Sequence, residues 1–157
     1  MKDVKHLAHY ANNPNIARFL TDGFPHPYSE EDARNFIRLA LEEEIPCLFA
    51  IIVDDHPVGS IGIMLQKDIY CKNAEIGYFL AEEYWGRGIM PEAIRLITEY
   101  AFKTFDITRV YARPFGLNPR SQRVLEKAGF RLEARLEKTY FKNGEFTDEL
   151  IYAKRKD

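Results

Sequence analysis

The sequence predicts an α/β domain built around one mixed sheet. Helical patterns come first, a run of strands follows, and strands then alternate with helices before a final hairpin. The length of 157 residues corresponds to one domain. Hydrophobic residues make up 46% and charged residues 29% of the chain, a composition typical of a globular protein that excludes a disordered or fibrous one.

Three helices are predicted in the first third of the chain. The helical apolar pattern of residues 3–20 is divided at Asn12-Asn13-Pro14, because proline suits the first turn of a helix and disrupts its interior. A proline-rich loop follows. Ser29-Glu30-Glu31-Asp32 then has the form of a capping box, which predicts a third helix that runs to about Glu44.

Strands dominate the middle of the chain. Residues 47–53 and 58–65 are rich in β-branched and apolar side chains, and the Asp-Asp-His-Pro sequence between them is typical of a turn. These two segments therefore predict an antiparallel hairpin. Residues 74–80 predict a third strand. Gly77 lies inside it, and a glycine there indicates a bulge or the close approach of another backbone or a ligand.

The second half alternates between helix and strand. Residues 89–105 have helical periodicity with Pro91 in the first turn, and residues 108–115 predict a strand. Asn118-Pro119 begins a further helix, and Gly129 ends it. The remaining residues, 130–154, predict two strands around an Asn-Gly turn, which is the strongest short hairpin signal.

Charge and cysteine usage exclude several classes of function. The 22 basic and 24 acidic residues give a net charge of -2, so nucleic acid is not expected as the main partner. Cys47 and Cys71 lie in no metal-binding or disulfide motif, and no metal is expected. The longest apolar run is too short to span a membrane, and the first ten residues are charged where a signal peptide needs an apolar core. We expect a soluble cytoplasmic protein.

The most informative stretch is AEIGYFLAEEYWGRGIMPEA, residues 74–93. It predicts a strand, a short acidic and aromatic turn, and then Gly86-Arg87-Gly88 at the start of a helix. Free N–H groups and the positive end of the helix dipole favour an anion such as a diphosphate there, and Arg87 could add charge. A dinucleotide fingerprint would need glycine at Pro91, and no Gly-Lys-Ser/Thr of a P-loop occurs. A simple tight turn is the alternative interpretation.

Three segments resemble the GNAT superfamily of acetyl-CoA-dependent N-acetyltransferases, within it the branch of ribosomal-protein N-terminal acetyltransferases. They are EIGYFL, YWGRGIMPEA and NPRSQRVLEKAGF (residues 118–130). Gly88 matches the family's loop pattern Gln/Arg-x-x-Gly-x-Gly/Ala, whereas Trp85 and Met90 depart from it. The resemblance implies a single domain over residues 1–157, with a twisted, mostly antiparallel sheet flanked by helices and splayed central strands.

The resemblance also concerns the beginning of the chain. Family members have a strand before the helix that here starts near Asp3, and this sequence has no residues for it. Either a segment precedes Met1, which we favour, or an edge of the sheet is uncovered. An uncovered edge would favour association into a homodimer.

The resemblance assigns most of the cofactor site. The backbone around Phe79 and Leu80 would pair with the pantetheine arm of acetyl-CoA, and residues 86–90 would hold its diphosphate. Asn118 would contact the same arm, although helix capping alone also explains an asparagine before Pro119. The expected cofactor-binding residues are Phe79, Leu80, Gly86, Arg87, Gly88, Ile89, Met90 and Asn118.

Acetyl transfer to an amine needs a base and benefits from an acid. An ammonium must lose a proton before it attacks, and the leaving thiolate can take one. The resemblance points to Glu75 as the base and to Ser121 as the acid. An exposed strand residue with no catalytic role is the alternative for Glu75. Rival candidates on the final hairpin are Glu133, Glu137 and Tyr140.

The sequence thus predicts an acetyl-CoA-dependent N-acetyltransferase that acts by direct transfer in a ternary complex. The acceptor is a primary amine, either a protein N-terminus or a small molecule such as a polyamine, an aminoglycoside or an amino acid. Neither cysteine lies in the matched motifs, so a covalent acyl-enzyme has no evident nucleophile. The alternative from another class is a non-catalytic acyl-CoA-binding sensor or regulatory module.

Overall fold

The computed structural model describes residues 2–157 as a sequence of helices and strands close to the predicted one. In chain order, the elements are α1 (Val4–Ala11), α2 (Pro14–Ala17), α3 (Glu30–Leu41), β1 (Leu48–Val53), β2 (His56–Leu65), β3 (Asn73–Leu80), α4 (Ile89–Thr104), β4 (Arg109–Ala112), α5 (Pro119–Lys127), β5 (Arg131–Lys142) and β6 (Glu145–Arg155). Short 3₁₀ turns cover Asp68–Tyr70 and Glu82–Tyr84.

The strands form one six-stranded sheet in the order β1-β2-β3-β4-β6-β5. Strands β3 and β4 are parallel, and α4 lies in the crossover between them, because parallel neighbours need a long connection. The pairs β1–β2, β4–β6 and β5–β6 are antiparallel. The predicted class, an α/β fold around a mixed and mostly antiparallel sheet, is confirmed.

The parallel pairing between β3 and β4 is short. Strand β3 pairs with β4 from Asn73 to Glu75, whereas β3 itself continues to Leu80. The splay of the central strands that the resemblance implies stays a prediction. A Cβ placed on Gly77 would meet nothing closer than the Met64 Cε atom at 4.0 Å, so neighbouring protein atoms do not require a glycine there.

One predicted strand is shorter than expected. Residues 108–115 were predicted as a continuous strand, but β4 ends at Ala112, and Phe115 forms only an isolated bridge with Glu149. Pro114 explains the interruption, because proline has no N–H group to donate to a neighbouring strand. Its carbonyl still accepts from the Leu150 N–H at 3.0 Å.

Local signals account for the other boundaries. Ser29 and Asp32 form the predicted capping box at the start of α3, although this helix ends at Leu41 and not near Glu44. Asn143 and Gly144 both have positive φ, 52° and 78°, as a two-residue hairpin turn of type I′ requires.

The contacts of the described chain divide it into two compact units. The first comprises the residues up to Gly62 together with Tyr78–Ile89, and the second comprises Ile63–Gly77 and Met90–Asp157. In the first unit, α1 packs on α3. Its core is the apolar cluster of Val4, Leu7, Ala8, Ala11, Ile16, Tyr28, Ala33 and Phe79.

The second unit has its own buried apolar side chains, supplied by α4, β4, α5 and β6. The most deeply buried large ones include Ile94, Val110 and Leu125. The single domain over residues 1–157 stays a prediction. Within residues 2–157, no helix is both long enough and apolar enough to cross a bilayer.

Gly59 allows β2 to approach β3 closely, and its replacement should cost stability. A Cβ at this position would lie 2.3 Å from the Phe79 carbonyl oxygen and 3.1 Å from the Leu80 Cα. We expect Gly59→Ala to lower the free energy of unfolding by about 2 to 3 kcal/mol, because rigid backbone atoms would have to move. Chemical denaturation would measure this.

Gly62→Ala on the same strand is the matched control. Its Cβ would meet the end of the Leu48 side chain at 2.9 Å, and a flexible side chain can move away. We therefore expect a smaller loss of stability. Equal losses for the two variants would contradict the backbone clash at Gly59.

Candidate functional site

The first part of the site lies in the first unit, where β3 leads through a 3₁₀ turn to the glycine loop. Gly86 and Gly88 have φ values of 73° and 76°, which strain any other residue. A Cβ on either glycine would meet no protein atom within 4 Å. The loop therefore faces open space, and α4 begins at Ile89 with N–H groups that have no partner within the helix. This geometry suits an anion.

Hydrogen bonds hold the turn before this loop in place. The Glu82 carboxylate accepts from Asn13 Nδ2 at 2.9 Å and from Asn15 Nδ2 at 3.0 Å. The indole N–H of Trp85 donates to the Leu80 carbonyl at 2.8 Å. The backbone that leads into the glycines is thus tied both to the start of α2 and to the end of β3.

Arg87 lies exposed between the two glycines. Its guanidinium carbon stands 5.1 Å from the centre of the Tyr84 ring, a distance that allows a cation–π interaction. The ring of Tyr84 in turn contacts Tyr10 edge to face, with 6.0 Å between the ring centres. These contacts orient a positive charge beside the loop.

Three of the predicted cofactor-binding residues have their side chains in the protein core. Phe79 packs against Phe24, with 5.3 Å between the ring centres, and Leu80 and Met90 are buried. Only the backbones of these residues are left to bind a ligand. The Leu80 carbonyl already accepts one hydrogen bond, from the Trp85 indole.

The second unit contains the remaining predicted residues, Asn118 and Ser121 at the start of α5 and Glu75 on β3. Asn118 is the N-cap of α5, and its Oδ1 accepts from the Ser121 N–H at 3.3 Å. The capping role is therefore confirmed. Ser121 is partly buried in the first turn of the helix.

Glu75 is part of an ion pair and is not a freely exposed strand residue. Its two carboxylate oxygens accept from Arg113, at 2.8 Å from Nε and 3.1 Å from Nη2, and its side chain is only 14% exposed. Such bidentate pairs are among the stronger hydrogen-bonded interactions in proteins. Arg113 was not among the predicted site residues, and it lies 38 positions further along the chain than Glu75.

A second carboxylate on the same guanidinium was also missed. Glu149 is buried, and its Oε1 lies 3.5 Å from Arg113 Nη1. A signal was present, because Glu149 is a charged residue directly before the apolar run Leu150-Ile151-Tyr152-Ala153. A buried carboxylate in a strand is uncommon unless it is paired.

Tyr140 completes this group, which we call the Arg113 cluster: Glu75, Arg113, Tyr140 and Glu149. The Tyr140 hydroxyl donates to the Arg113 carbonyl at 2.9 Å, and its ring packs on Phe115 with 4.6 Å between centres. Burial, and to a lesser degree the charge of Glu149, raises the pKa of Tyr140 well above its usual value. The phenol therefore stays protonated near neutral pH.

The two rival carboxylates lie elsewhere on β5. Glu133 accepts from Arg109 Nη2 at 2.8 Å and from Arg155 Nη2 at 3.2 Å. The hydrogen bond from Arg109, more than any other contact, lowers the pKa of Glu133. Glu137 is exposed. Among residues 2–157, no three or more His, Cys, Asp or Glu side chains are arranged so that they could hold a metal ion.

A mixed sheet with an open glycine loop at a helix start defines the class of protein, and the chain belongs to the GNAT family of acetyltransferases. Residues 1–131 match the sequence profile described as "Acetyltransferase (GNAT) domain". The predicted family, the enzyme class of N-acetyltransferase and the acyl donor acetyl-CoA are confirmed at the level of this family.

Particular relatives agree with this assignment. The probable N-acetyltransferase YjcK of Bacillus subtilis (strain 168) is 36% identical over 116 residues, which are 74% of this chain and 64% of that protein. The chain thus matches less than two thirds of the length of that relative.

Solved structures resemble the fold along nearly the whole chain. An acetyltransferase of the GNAT family from Bacillus anthracis has a TM-score of 0.82 at 27% identity, and the match covers 98% of this chain and 89% of that one. The ribosomal L7/L12 α-N-protein acetyltransferase RimL, in complex with coenzyme A, has the same TM-score of 0.82 at 25% identity and the same coverages of 98% and 89%.

Proposed function

We propose that the chain transfers an acetyl group directly from acetyl-CoA to a primary amine within a ternary complex. The observation that carries the proposal is the loop at residues 86–88 of a GNAT family member. Its two glycines have positive φ and open space around them, and they stand at the start of α4. Backbone N–H groups in this arrangement suit a diphosphate.

The proposed roles of the cofactor-binding residues follow the geometry. Residues 86–90 bind the diphosphate through their backbone N–H groups. Pro91, the next residue, has no N–H group to contribute. Arg87 adds a positive charge. The backbones of Phe79 and Leu80 bind the pantetheine arm, because the side chains of both residues are buried in the core. Asn118 contacts the same arm in addition to capping α5.

Acetyl-CoA supplies a thioester, and the chain supplies the proton transfers. Glu75 takes a proton from the acceptor's ammonium, directly or through a water, and the free amine attacks the thioester carbonyl. A bond between carbon and nitrogen forms, the bond between carbon and sulfur breaks, and Ser121 gives a proton to the departing thiolate. Burial raises the pKa of the Cys47 thiol, which makes it a poor nucleophile for a covalent intermediate.

The acceptor is a primary amine of a protein N-terminus or of a small molecule. The similarity to RimL, described as a ribosomal L7/L12 α-N-protein acetyltransferase, supports a peptide N-terminus as the first choice. An acceptor of this kind, together with the free cysteines Cys47 and Cys71, fits a cytoplasmic location. Strands β1 and β5 form the two edges of the described sheet, and pairing at such an edge would give a homodimer.

A panel of acceptors tests the function. Peptides, ribosomal proteins, polyamines, aminoglycosides and amino acids would each be offered with acetyl-CoA while free thiol is measured and products are weighed by mass spectrometry. We expect amine-dependent thiol release and a product heavier by one acetyl group. Binding of acetyl-CoA without thiol release for any acceptor would contradict the proposal and favour a sensor or regulatory module.

The role of Ser121 leads to a separate prediction. Ser121→Ala removes the hydroxyl but leaves the Ser121 N–H that donates to Asn118. We expect kcat to fall by up to about 100-fold, the lower end of general-acid effects, while acetyl-CoA binding changes little. Steady-state kinetics and a thermal shift with acetyl-CoA would measure the two quantities.

Ser121→Thr is the control, since it keeps a hydroxyl at the same position. We expect it to retain more activity than the alanine variant. An unchanged kcat for Ser121→Ala, in conditions where the chemical step limits turnover, would remove Ser121 from the mechanism.

A further inference from the structure

In the Arg113 cluster, the guanidinium of Arg113 contacts two carboxylates, and its contacts with Glu75 are shorter than its contact with Glu149. Glu75 has two short hydrogen bonds to Arg113, at 2.8 and 3.1 Å, whereas Glu149 makes one longer contact at 3.5 Å. The side chains of Glu75 and Glu149 are 14% and 6% exposed, and that of Arg113 is 45% exposed. With both carboxylates ionised, these three side chains carry one net negative charge.

The sheet register brings the two carboxylates to the same arginine. Glu75 on β3 pairs with Tyr111, and Glu149 on β6 bridges Phe115. Arg113 lies midway between Tyr111 and Phe115 in the sequence, so its side chain can reach both carboxylates. Glu149 also pairs with β5 through its backbone, which fixes its position from two sides.

This arrangement matters for a base. A guanidinium beside a carboxylate favours the ionised form, and a base held in that form accepts a proton less readily. A second carboxylate on the same guanidinium opposes this effect, because its charge offsets part of the positive charge. Glu149 is buried, so solvent and salt screen its charge only weakly.

We propose that Glu149 is a positioning residue that acts through Arg113: it holds the guanidinium against Glu75 and offsets part of its positive charge at the place where Glu75 acts as the general base. The inference rests on the proposed function, in which Glu75 is the base.

The two neighbouring tyrosines add no charge to the cluster near neutral pH. Tyr111 from β4 faces Glu75, and Tyr140 from β5 faces Glu149. Burial and the nearby carboxylates raise the pKa of both phenols, so both remain uncharged. The charges that act on Glu75 from within the cluster are therefore those of Arg113 and Glu149.

The test is the pH dependence of kcat/KM for three variants, Glu149→Gln, Arg113→Gln and the double variant, with acetyl-CoA and one accepted amine. The acid limb of kcat/KM reports the essential base, and the acceptor's own titration is common to all variants. We expect Glu149→Gln to move the acid limb about one pH unit lower, and Arg113→Gln to move it about one unit higher. The double variant should lie close to the parent.

Separate readouts keep this inference distinct from the proposed function. Acetyl-CoA should raise the melting temperature of all three variants as it does for the parent. If Glu75→Gln retains full activity, the assignment of the base fails and this inference falls with it. If Glu75→Gln is impaired while Glu149→Gln and Arg113→Gln leave the acid limb in place, or move it in one common direction, only the role of Glu149 is overturned.

If Glu149→Gln does not fold, the variants of Arg113 provide the test of the inference. Arg113→Lys keeps a cation beside both carboxylates at a side chain that is 45% exposed, so this variant should fold. Arg113→Gln leaves two largely buried carboxylates without a cation, so its melting temperature should fall, and circular dichroism would check its fold before the kinetics. Arg113→Gln should move the acid limb to higher pH, whereas Arg113→Lys, which keeps the charge, should not. The absence of that difference would overturn the inference.

Discussion

Glu75→Gln is expected to lower kcat/KM by about 100- to 10,000-fold at neutral pH, the usual range for loss of a general base. Glutamine keeps the shape of the side chain, and its carbonyl oxygen can still accept from Arg113. It cannot take up the proton of an ammonium. Acetyl-CoA affinity, measured by thermal shift, should barely change, because Glu75 has no proposed contact with the cofactor.

The pH dependence gives this prediction a second test. As the pH approaches the acceptor's own pKa, free amine forms without help from the enzyme, and the deficit of Glu75→Gln should shrink. Glu133→Gln is the matched control, since Glu133 also pairs with arginines but lies on β5. We expect this variant to keep most of the kcat/KM of the parent. Full activity of Glu75→Gln at pH 7, with chemistry limiting turnover, would show that another residue or bulk water is the base.

Gly88→Val should abolish the stabilisation of the protein by acetyl-CoA. The open space beside Gly88 is where the diphosphate would approach, and a branched side chain would occupy it. A ligand at 100 times its Kd stabilises a protein by about 2.7 kcal/mol, so the loss is easily detected as a missing thermal shift. The variant should remain folded, because no protein atom lies within 4 Å of the added Cβ, but its melting temperature should fall, because a positive φ strains valine.

Gly144→Val separates ligand binding from backbone strain. Gly144 also has a positive φ, 78° against 76° for Gly88, and open space around its Cβ position, but it lies in the turn between β5 and β6. Both variants should lower the melting temperature of the free protein by similar amounts. Only Gly144→Val should keep the thermal shift with acetyl-CoA. A Gly88→Val protein that binds acetyl-CoA as tightly as the parent would show that the diphosphate lies elsewhere.

Signals within a few residues of one another predicted the order of the elements and the position of the loop. The capping box at Ser29, the Asn118 cap and the Asn143-Gly144 turn each depend on the conformation of adjacent residues, which a sequence displays directly. The length of β4 could not be predicted as readily. Its end depends on which backbone groups near Pro114 face a partner strand, and the partner is distant in sequence.

The Arg113 cluster illustrates the limit of a sequence for the site. Its members come from three strands and the connection after β4, and only the sheet register brings them together. Periodicity assigns each residue to a strand but does not say which residues will be opposite. The burial of the Phe79 and Met90 side chains could not be predicted for a similar reason. A motif gives the position of a residue in the sequence, whereas packing in the folded chain determines where its side chain points.

Trp85 is the only tryptophan in the sequence, and it lies directly before the glycine loop. Its indole N–H bonds to the Leu80 carbonyl, and its ring packs beside the apolar cluster of the first unit. The intrinsic fluorescence of the protein, excited at the indole band, therefore comes from a single chromophore next to the proposed diphosphate loop. Its emission provides a label-free optical signal for titrating acyl-CoA ligands against the wild-type chain.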